Sequence, residues 1–284
     1  MNFRTKIDIK TSEKKINHEQ NLLLIGSCFT IEIGEILAKK GFKLQVNPFG
    51  IQYNPLSIEK CIKEISDKKI YSENNLFFHE GKYHSFMHHS TFSNANKEEC
   101  LNTIQQKIEN TKLNEIDVII ITLGTAWIYR LASTNEVVSN CHKLPEQQFV
   151  RSRISIKECV ASLDNMIQSL KQQNPDIHII FTVSPIRHFR DGAIENSLSK
   201  STLLLSIDEI KKSYPDIDYF PSYEILIDEL RDYRFYATDM NHPSCVAIEY
   251  IYERFAETYF SSQTINVAKT KEKEWKHQHH KQLL

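Results

Sequence analysis

The chain has 284 residues, 40% of them hydrophobic and 25% charged, with a formal net charge of −1. That composition suits a globular protein with a sizeable core, in one large domain or two small ones. The balanced charge excludes a general nucleic-acid binder, which needs a basic excess to neutralise phosphates.

In chain order, Leu22–Ile25 is predicted as a buried strand. Ile31–Lys40 follows as a helix, with Ile33, Ile36 and Leu37 on one face and Gly41 where a C-terminal cap belongs. Lys43–Val46 is a short strand, and Leu56–Ser66 is a helix preceded by Pro55. An irregular stretch rich in His, Phe, Ser and Asn runs from about Tyr71 to Asn96, before a helix over Glu98–Leu113. Asp117–Leu123 is β-branched and apolar on both faces, as a central parallel strand requires. A second irregular stretch covers about Tyr129 to Ser155. Then come a helix over Ile156–Gln173, a strand over Ile177–Val183, a helix over Glu195–Ser213, a strand over Ile217–Phe220 and a helix over Tyr223–Arg231. Ser244 is expected to cap a last amphipathic helix reaching about Phe260. This alternation predicts a three-layer α/β domain with a mostly parallel sheet, over residues 1–262, with two inserted loops. Residues 263–284 form a basic, His-rich tail, expected to be a solvated helical end or a frayed terminus.

No run approaches the length of a membrane span, and the amino terminus lacks the apolar core of a secretory signal. The six cysteines are scattered without C-x-x-C spacing, which fits reduced thiols better than a disulfide framework or a zinc site. The expected setting is cytoplasmic, without membrane or nucleic-acid partners.

Two distant segments carry the chemistry. Ser27 follows the first strand and enters the first helix, and Asp239 stands three residues before His242, just ahead of the last helix. In a parallel sheet the carboxyl ends of the strands share one edge, so Ser27, Gly124 and Ser184 are expected to face one crevice. A serine or cysteine needs a base to take its proton, and an imidazole works best when a carboxylate orients it. Ser27 and Cys28 are both candidate nucleophiles, but neighbours at a strand-to-helix turn point in different directions, so only one can face His242. Ser27 is the expected one, with Cys28 packing inside.

This arrangement resembles the SGNH (GDSL-like) hydrolase superfamily, and most closely its GSCFA family. The resemblance rests on Gly26-Ser27-Cys28-Phe29, Asn47-Pro48-Phe49-Gly50, His84-Ser85-Phe86 with His88-His89-Ser90, and Leu123-Gly124-Thr125-Ala126-Trp127. It continues through Asn140-Cys141-His142-Lys143, Ser184-Pro185-Ile186-Arg187-His188 and the segment from Tyr223 to Ser244. It implies a flavodoxin-like α/β/α fold and a Ser27–His242–Asp239 triad. It also implies an oxyanion hole built from Ser27, Gly50 and the Gly124-Thr125-Ala126 block, although alanine stands where the superfamily has asparagine. Either the Thr125 hydroxyl fills that role, or Asn54, Gln52 or His84 substitutes, or the hole has two donors.

The irregular stretches supply polar and basic groups for a substrate rim, suited to an anionic or sugar-like substrate: His84, His88, His89, His142 and Lys143 with Arg151 and Arg153, and Arg187 and His188. His84 and His88 have the spacing of a helical metal pair, but no helix signal and no carboxylate accompany them, so cleft lining is expected and neither metal nor cofactor is called for. The expected function is hydrolysis of an acyl ester on a polar, small-molecule or glycan alcohol. Acyl transfer by the same triad, a weakened binding module and a metal-dependent hydrolase are the alternatives.

Overall fold

The segments LLLI, VIIITL and HIIFTV are apolar on both faces, and such strands are stable only when covered on both sides. The computed structural model, which describes residues 4–280, places them accordingly. In chain order the elements are β1 (Asn21–Gly26), α1 (Cys28–Lys39), β2 (Lys43–Val46), α2 (Pro55–Ser66), β3 (Phe77–His79), β4 (Lys82–His84), α3 (Lys97–Asn110) and β5 (Val118–Leu123). They continue with β6 (Trp127–Leu131), β7 (Val137–Val138), β8 (Phe149–Arg153), α4 (Ile156–Gln173), β9 (His178–Val183) and α5 (Gly192–Ser213). The chain closes with β10 (Asp218–Phe220), α6 (Ser222–Glu224), α7 (Cys245–Tyr259) and α8 (Ser262–His280).

The central sheet has the order β10-β9-β5-β1-β2, and every neighbouring pair is parallel. Counting only its own strands, this is the doubly wound order 2-1-3-4-5, the flavodoxin-like fold expected. The direction of winding reverses between β1 and β5, and a ligand crevice opens at such a switch point, outside the carboxyl ends of the strands.

The pleat divides the core in two. Leu23, Ile25, Ile119, Ile121, Ile179 and Phe181 pack with α2, α4 and α5 residues such as Ile58, Ile62, Leu163, Ile167 and Leu203. Leu22, Leu24, Val118, Ile120 and Ile180 pack on the other face with Ile33 and Leu37 of α1 and Ile251 and Phe255 of α7. Each such fully buried aliphatic side chain stabilises by about 1.5–3 kcal/mol.

Four differences from the sequence reading have physical causes. The two irregular stretches contain a β3–β4 hairpin and a small antiparallel sheet of order β7-β6-β8. These strands are short and half-exposed, so no clear alternation marks them. The predicted helix at Tyr223–Arg231 is α6 followed by a π-helical turn over Ile225–Leu230. There Glu229 points inward, accepting from the Ile7 N–H at 2.6 Å and the Tyr250 hydroxyl at 2.6 Å. α5 starts at Gly192, three residues before the predicted Glu195. Finally, α8 is a docked helix: Ala268 is buried, and Glu272 forms an ion pair with Lys40 just beyond α1. Residues 281–284 of the expected tail lie outside the described residues. All six cysteines are free. Among the described residues no helix is long and apolar enough to cross a membrane.

Gly26 ends β1 with φ +150°, and a Cβ there would stand 2.2 Å from the Thr122 carbonyl oxygen. Gly26→Ala is therefore expected to cost roughly 2–3 kcal/mol or more, since backbone strain and a clash with a central strand combine. Gly81 turns the hairpin at φ +78° with nothing within 4 Å of its would-be Cβ, so Gly81→Ala carries the strain alone, at about 1 kcal/mol. Urea unfolding of the two variants checks this, and equal losses would contradict the assigned clash.

Candidate active site

Both candidate nucleophiles stand at the end of β1. Gly26 donates its N–H to the Asn47 side-chain oxygen at 2.8 Å and accepts from the Gln52 N–H at 3.0 Å. The ladder with β5 then runs one residue further, because the Ser27 N–H donates to the Thr122 carbonyl at 3.2 Å. This extension keeps Ser27 in the sheet: it is 0% exposed, and its Oγ has no hydrogen-bond partner among the described residues. Cys28 is the first helical residue and turns toward the crevice. Its Sγ lies 3.7 Å from His242 Nε2. The expectation that Ser27 faces His242 and Cys28 packs inside is thus reversed by the path of the backbone.

His242 is held from its other nitrogen. Its Nδ1 donates to Asp239 Oδ2 at 2.5 Å, while Asp239 Oδ1 accepts the main-chain N–H groups of Asn241 at 2.9 Å and His242 at 3.0 Å. Those two N–H bonds, with the imidazole, hold the Asp239 carboxyl down at about 2. The loop is itself tied down, by the Ala237 N–H to the His242 carbonyl at 2.7 Å and by a bridge between Tyr236 and Pro243. Ser244 then caps α7 through the Ala247 N–H. Asp239 and His242 are each about half exposed, at 48% and 49% of their side chains, so water reaches this pair.

Burial is the largest influence on the Cys28 thiol and raises its pKa, while the N–H groups of Cys28 and Phe29 and the charge of Lys200 lower it. The resting group is therefore a thiol, which needs a base to become a nucleophile. Lys200, on α5, is 2% exposed, and its ammonium donates to the carbonyls of Gly124 and Ser184, each at 2.7 Å. Both partners are neutral. Burial accordingly drives the Lys200 pKa down to about 7, with Cys28 acting in the opposite sense. Nothing in the sequence pattern singled out Lys200; a lysine within the buried stripe of α5 was the available signal.

The three expected oxyanion donors are engaged elsewhere. Ser27 N–H belongs to the β5 ladder, Gly50 N–H donates to the Asn47 carbonyl at 2.8 Å, and the Gly124 and Thr125 N–H groups both donate to the Tyr53 carbonyl, at 2.8 and 2.9 Å. Thr125 Oγ1 also accepts from the Trp127 N–H at 3.1 Å and meets Ser199 Oγ at 3.0 Å. Of the substitutes, Asn54 caps α2 through the Ser57 N–H, and Gln52 Nε2 donates to the Met87 carbonyl at 2.9 Å. The donors that do approach the sulfur are the N–H groups of Cys28 and Phe29 at the start of α1. First-turn N–H groups have no carbonyl one turn back, and the helix dipole favours negative charge there.

The histidines divide by burial. His84 and His142 face each other, Nδ1 to Nδ1, at 3.2 Å, while their Nε2 atoms donate to the His79 and Ser85 carbonyls. They tie the hairpin to the 139–144 loop. His88 is fully buried among Phe49, Tyr71 and Phe92, and burial pushes its pKa down to about 3. His84, His88 and His142 are therefore wall supports, not substrate contacts as expected, because aromatic packing draws their rings inside. Arg187 is not in the cavity lining either; its N–H braces the Asn241 carbonyl at 3.4 Å. His89, Lys143 and His188 do line a cavity of about 660 Å³. Tyr53 and His188, packed edge to face at 5.9 Å, border it on the side of the Cys28–His242 pair: Tyr53 is influenced by Cys28 and His188 by His242. Among the described residues, no group of three or more His, Cys, Asp or Glu side chains is arranged to hold a metal ion.

Residues 21–255 match the model of the GSCFA family. A yeast protein, "Bypass of stop codon protein 5" of Saccharomyces cerevisiae, is 27% identical over 104 residues, which are 35% of this chain and only 21% of that protein. Among solved structures, a family two carbohydrate esterase from Clostridium thermocellum aligns at 12% identity and TM-score 0.45, over 84% of this chain and 63% of its own. A putative acylhydrolase from Bacteroides fragilis aligns at 9% identity and TM-score 0.43, over 91% of each chain.

An unfolded lysine titrates near 10.4. Between about pH 7 and that value the unfolded chain binds a proton that folded Lys200 lacks, so this group makes stability rise with pH across the window. Lys200→Met should flatten the rise, by on the order of a few kcal/mol across the window. Urea unfolding at pH 7.5 and 9.5 measures it; an unchanged slope in the variant would contradict a depressed Lys200.

Proposed function

The chain belongs to the GSCFA family, and we propose that it is an acyl-ester hydrolase whose nucleophile is Cys28, with His242 as base and Asp239 as orienting carboxylate. The observation that carries this reading is the 3.7 Å approach of Cys28 Sγ to His242 Nε2, whose far nitrogen is fixed by Asp239 at 2.5 Å.

In the first half-reaction Cys28 Sγ attacks the ester carbonyl carbon while His242 Nε2 takes the thiol proton. The developing oxyanion falls at the first turn of α1, near the Cys28 and Phe29 N–H groups. The intermediate collapses, the C–O bond breaks, and the alcohol leaves with the proton returned by His242. Water then attacks the acyl thioester, again losing a proton to His242, and the thiol leaves with the acid released. The half-exposed Asp239–His242 pair favours water as the acceptor over a second alcohol, so hydrolysis is preferred to transfer. The cavity beyond Tyr53 carries aromatic rings beside charged side chains, which suits a polar, carbohydrate-like alcohol better than a long lipid chain.

Cys28→Ala is expected to lose at least about a thousandfold in turnover of a small acyl ester, and His242→Ala a similar factor. Ser27→Ala should stay within about tenfold of the parent, since its hydroxyl touches no reacting group. Iodoacetamide should alkylate Cys28, slowly at neutral pH and faster as pH rises, because burial holds the thiol protonated. Full activity in folded Cys28→Ala together with a dead Ser27→Ala would overturn the assignment and restore serine as nucleophile.

A further inference from the structure

The cavity bordered by Tyr53 and His188 has a lopsided hydrogen-bond inventory. One wall is Trp127 and Tyr129 from β6 with Arg151 from β8. The Arg151 guanidinium stacks 4.4 Å from the Trp127 ring, and Asp191 holds both of its terminal nitrogens. The pair fixes the guanidinium plane but leaves Arg151 Nε–H free. Among the described residues that N–H is buried without a partner, and so are Trp127 Nε1–H, Asn196 Nδ2 and His188 Nε2, all on cavity-lining side chains.

Asn196 is the most telling of these. It is 4% exposed, and its Oδ1 accepts the His188 main-chain N–H at 3.0 Å. That bond settles which end of the amide is free, and it is the donor end. Indole, guanidinium and amide nitrogens donate and do not accept.

Most of the acceptors nearby are already engaged. Asp191 is held by Arg151, the Tyr129 hydroxyl and Glu146 take the Arg190 guanidinium, and Thr125 and Ser199 bond to each other. A buried donor without a partner is costly, and three in one cavity call for a ligand that supplies acceptors. A neutral sugar hydroxyl brings a donor with every acceptor, whereas three of the four buried unpartnered groups here are donors and only His188 Nε2 could receive one. An oxyanion brings acceptors only. Lys143, exposed at the same cavity's rim, adds positive charge.

We propose that this cavity binds an oxyanion group of the substrate, a carboxylate or a phosphate, through Trp127 Nε1–H, Arg151 Nε–H and Asn196 Nδ2. The ester cleaved is then one carried by an anionic alcohol, such as an acidic or phosphorylated sugar. The substrate assignment rests on the hydrolase reading; the oxyanion site itself does not.

The experiment separates the two. Isothermal titration calorimetry with folded Cys28→Ala protein uses three probes: glucuronate, glucose 1-phosphate and glucose. At least one anion should bind tenfold or more tightly than glucose, and the two anionic arms tell carboxylate from phosphate. Asn196→Ala and the milder Trp127→Phe, which removes the indole N–H and keeps a ring, should each weaken the bound anion fivefold or more, while Lys82→Gln on the distant hairpin leaves it unchanged. Glucose binding as tightly as both anions, no anion binding to folded protein, or anion affinity unmoved by both Asn196→Ala and Trp127→Phe would each overturn the proposal. Anion binding with these variant effects, in a protein that turns over no ester, would uphold the site and refute the hydrolase reading instead.

Discussion

The contact on which the site depends is the approach of Gly26 to the carbonyl of Thr122, where a Cβ would stand 2.2 Å away. Only glycine permits β1 and β5 to run that close at their carboxyl ends. The closeness lets the Ser27 N–H join the same ladder at 3.2 Å, and the strand geometry therefore persists one residue past the glycine. The helix can begin only at Cys28, so the first side chain to leave the sheet edge is a thiol. Had the ladder stopped at Gly26, the serine would have stood there instead. A spacing between two backbones thus decides which chemistry faces His242.

The same contact explains what was legible beforehand. The fold was readable because its central strands are apolar on both faces, and that pattern has few structural solutions. His242 and Asp239 were readable because a carboxylate three residues before a histidine carries its geometry locally: Asp239 is set by N–H groups of its own loop. The choice between Ser27 and Cys28 was not, since it depends on a hydrogen bond to Thr122, far away in sequence. The oxyanion donors failed for a related reason. Glycine N–H groups look free in a motif, but Gly50 and Gly124 sit at turns where Asn47 and Tyr53 carbonyls are already waiting. Three of the five candidate histidines misled through their neighbours: Phe49, Tyr71 and Phe92 enclose His88, for example, and no spacing rule reports such a cage.

A thiol at this place has an electrostatic consequence. Burial opposes its ionisation, and so does Glu32 on the next turn, while two helix N–H groups and Lys200 favour it. Lys200 is a costly residue in its own right, because an ammonium taken out of water loses hydration that two carbonyls replace only in part. Its position clamps the ends of β5 and β9 together, through Gly124 and Ser184, directly under the crevice. A neutral side chain could pack there at lower cost. In the proposed reaction, negative charge on the sulfur would meet a buried group that favours it, and charges interact more strongly in a dry interior than in water.

Chemistry and selection then occupy different layers of the architecture. Cys28 stands at the parallel sheet's edge, at the start of α1, and His242 meets it from the loop ahead of α7. The cavity wall instead comes from the inserted sheet of β6, β7 and β8, whose strands are antiparallel and half-exposed. These strands bring their own constraint: Trp127 is paired across the ladder with Arg153, and Tyr129 with Arg151, so aromatic and cationic groups alternate on neighbouring strands. Only strands can offer that alternation at fixed spacing, because successive side chains point to opposite faces. A loop of the same composition would let Arg151 swing to solvent. Held in the ladder and pinned by Asp191, it keeps its remaining N–H turned inward, and the donor set survives as a site without any ligand to organise it.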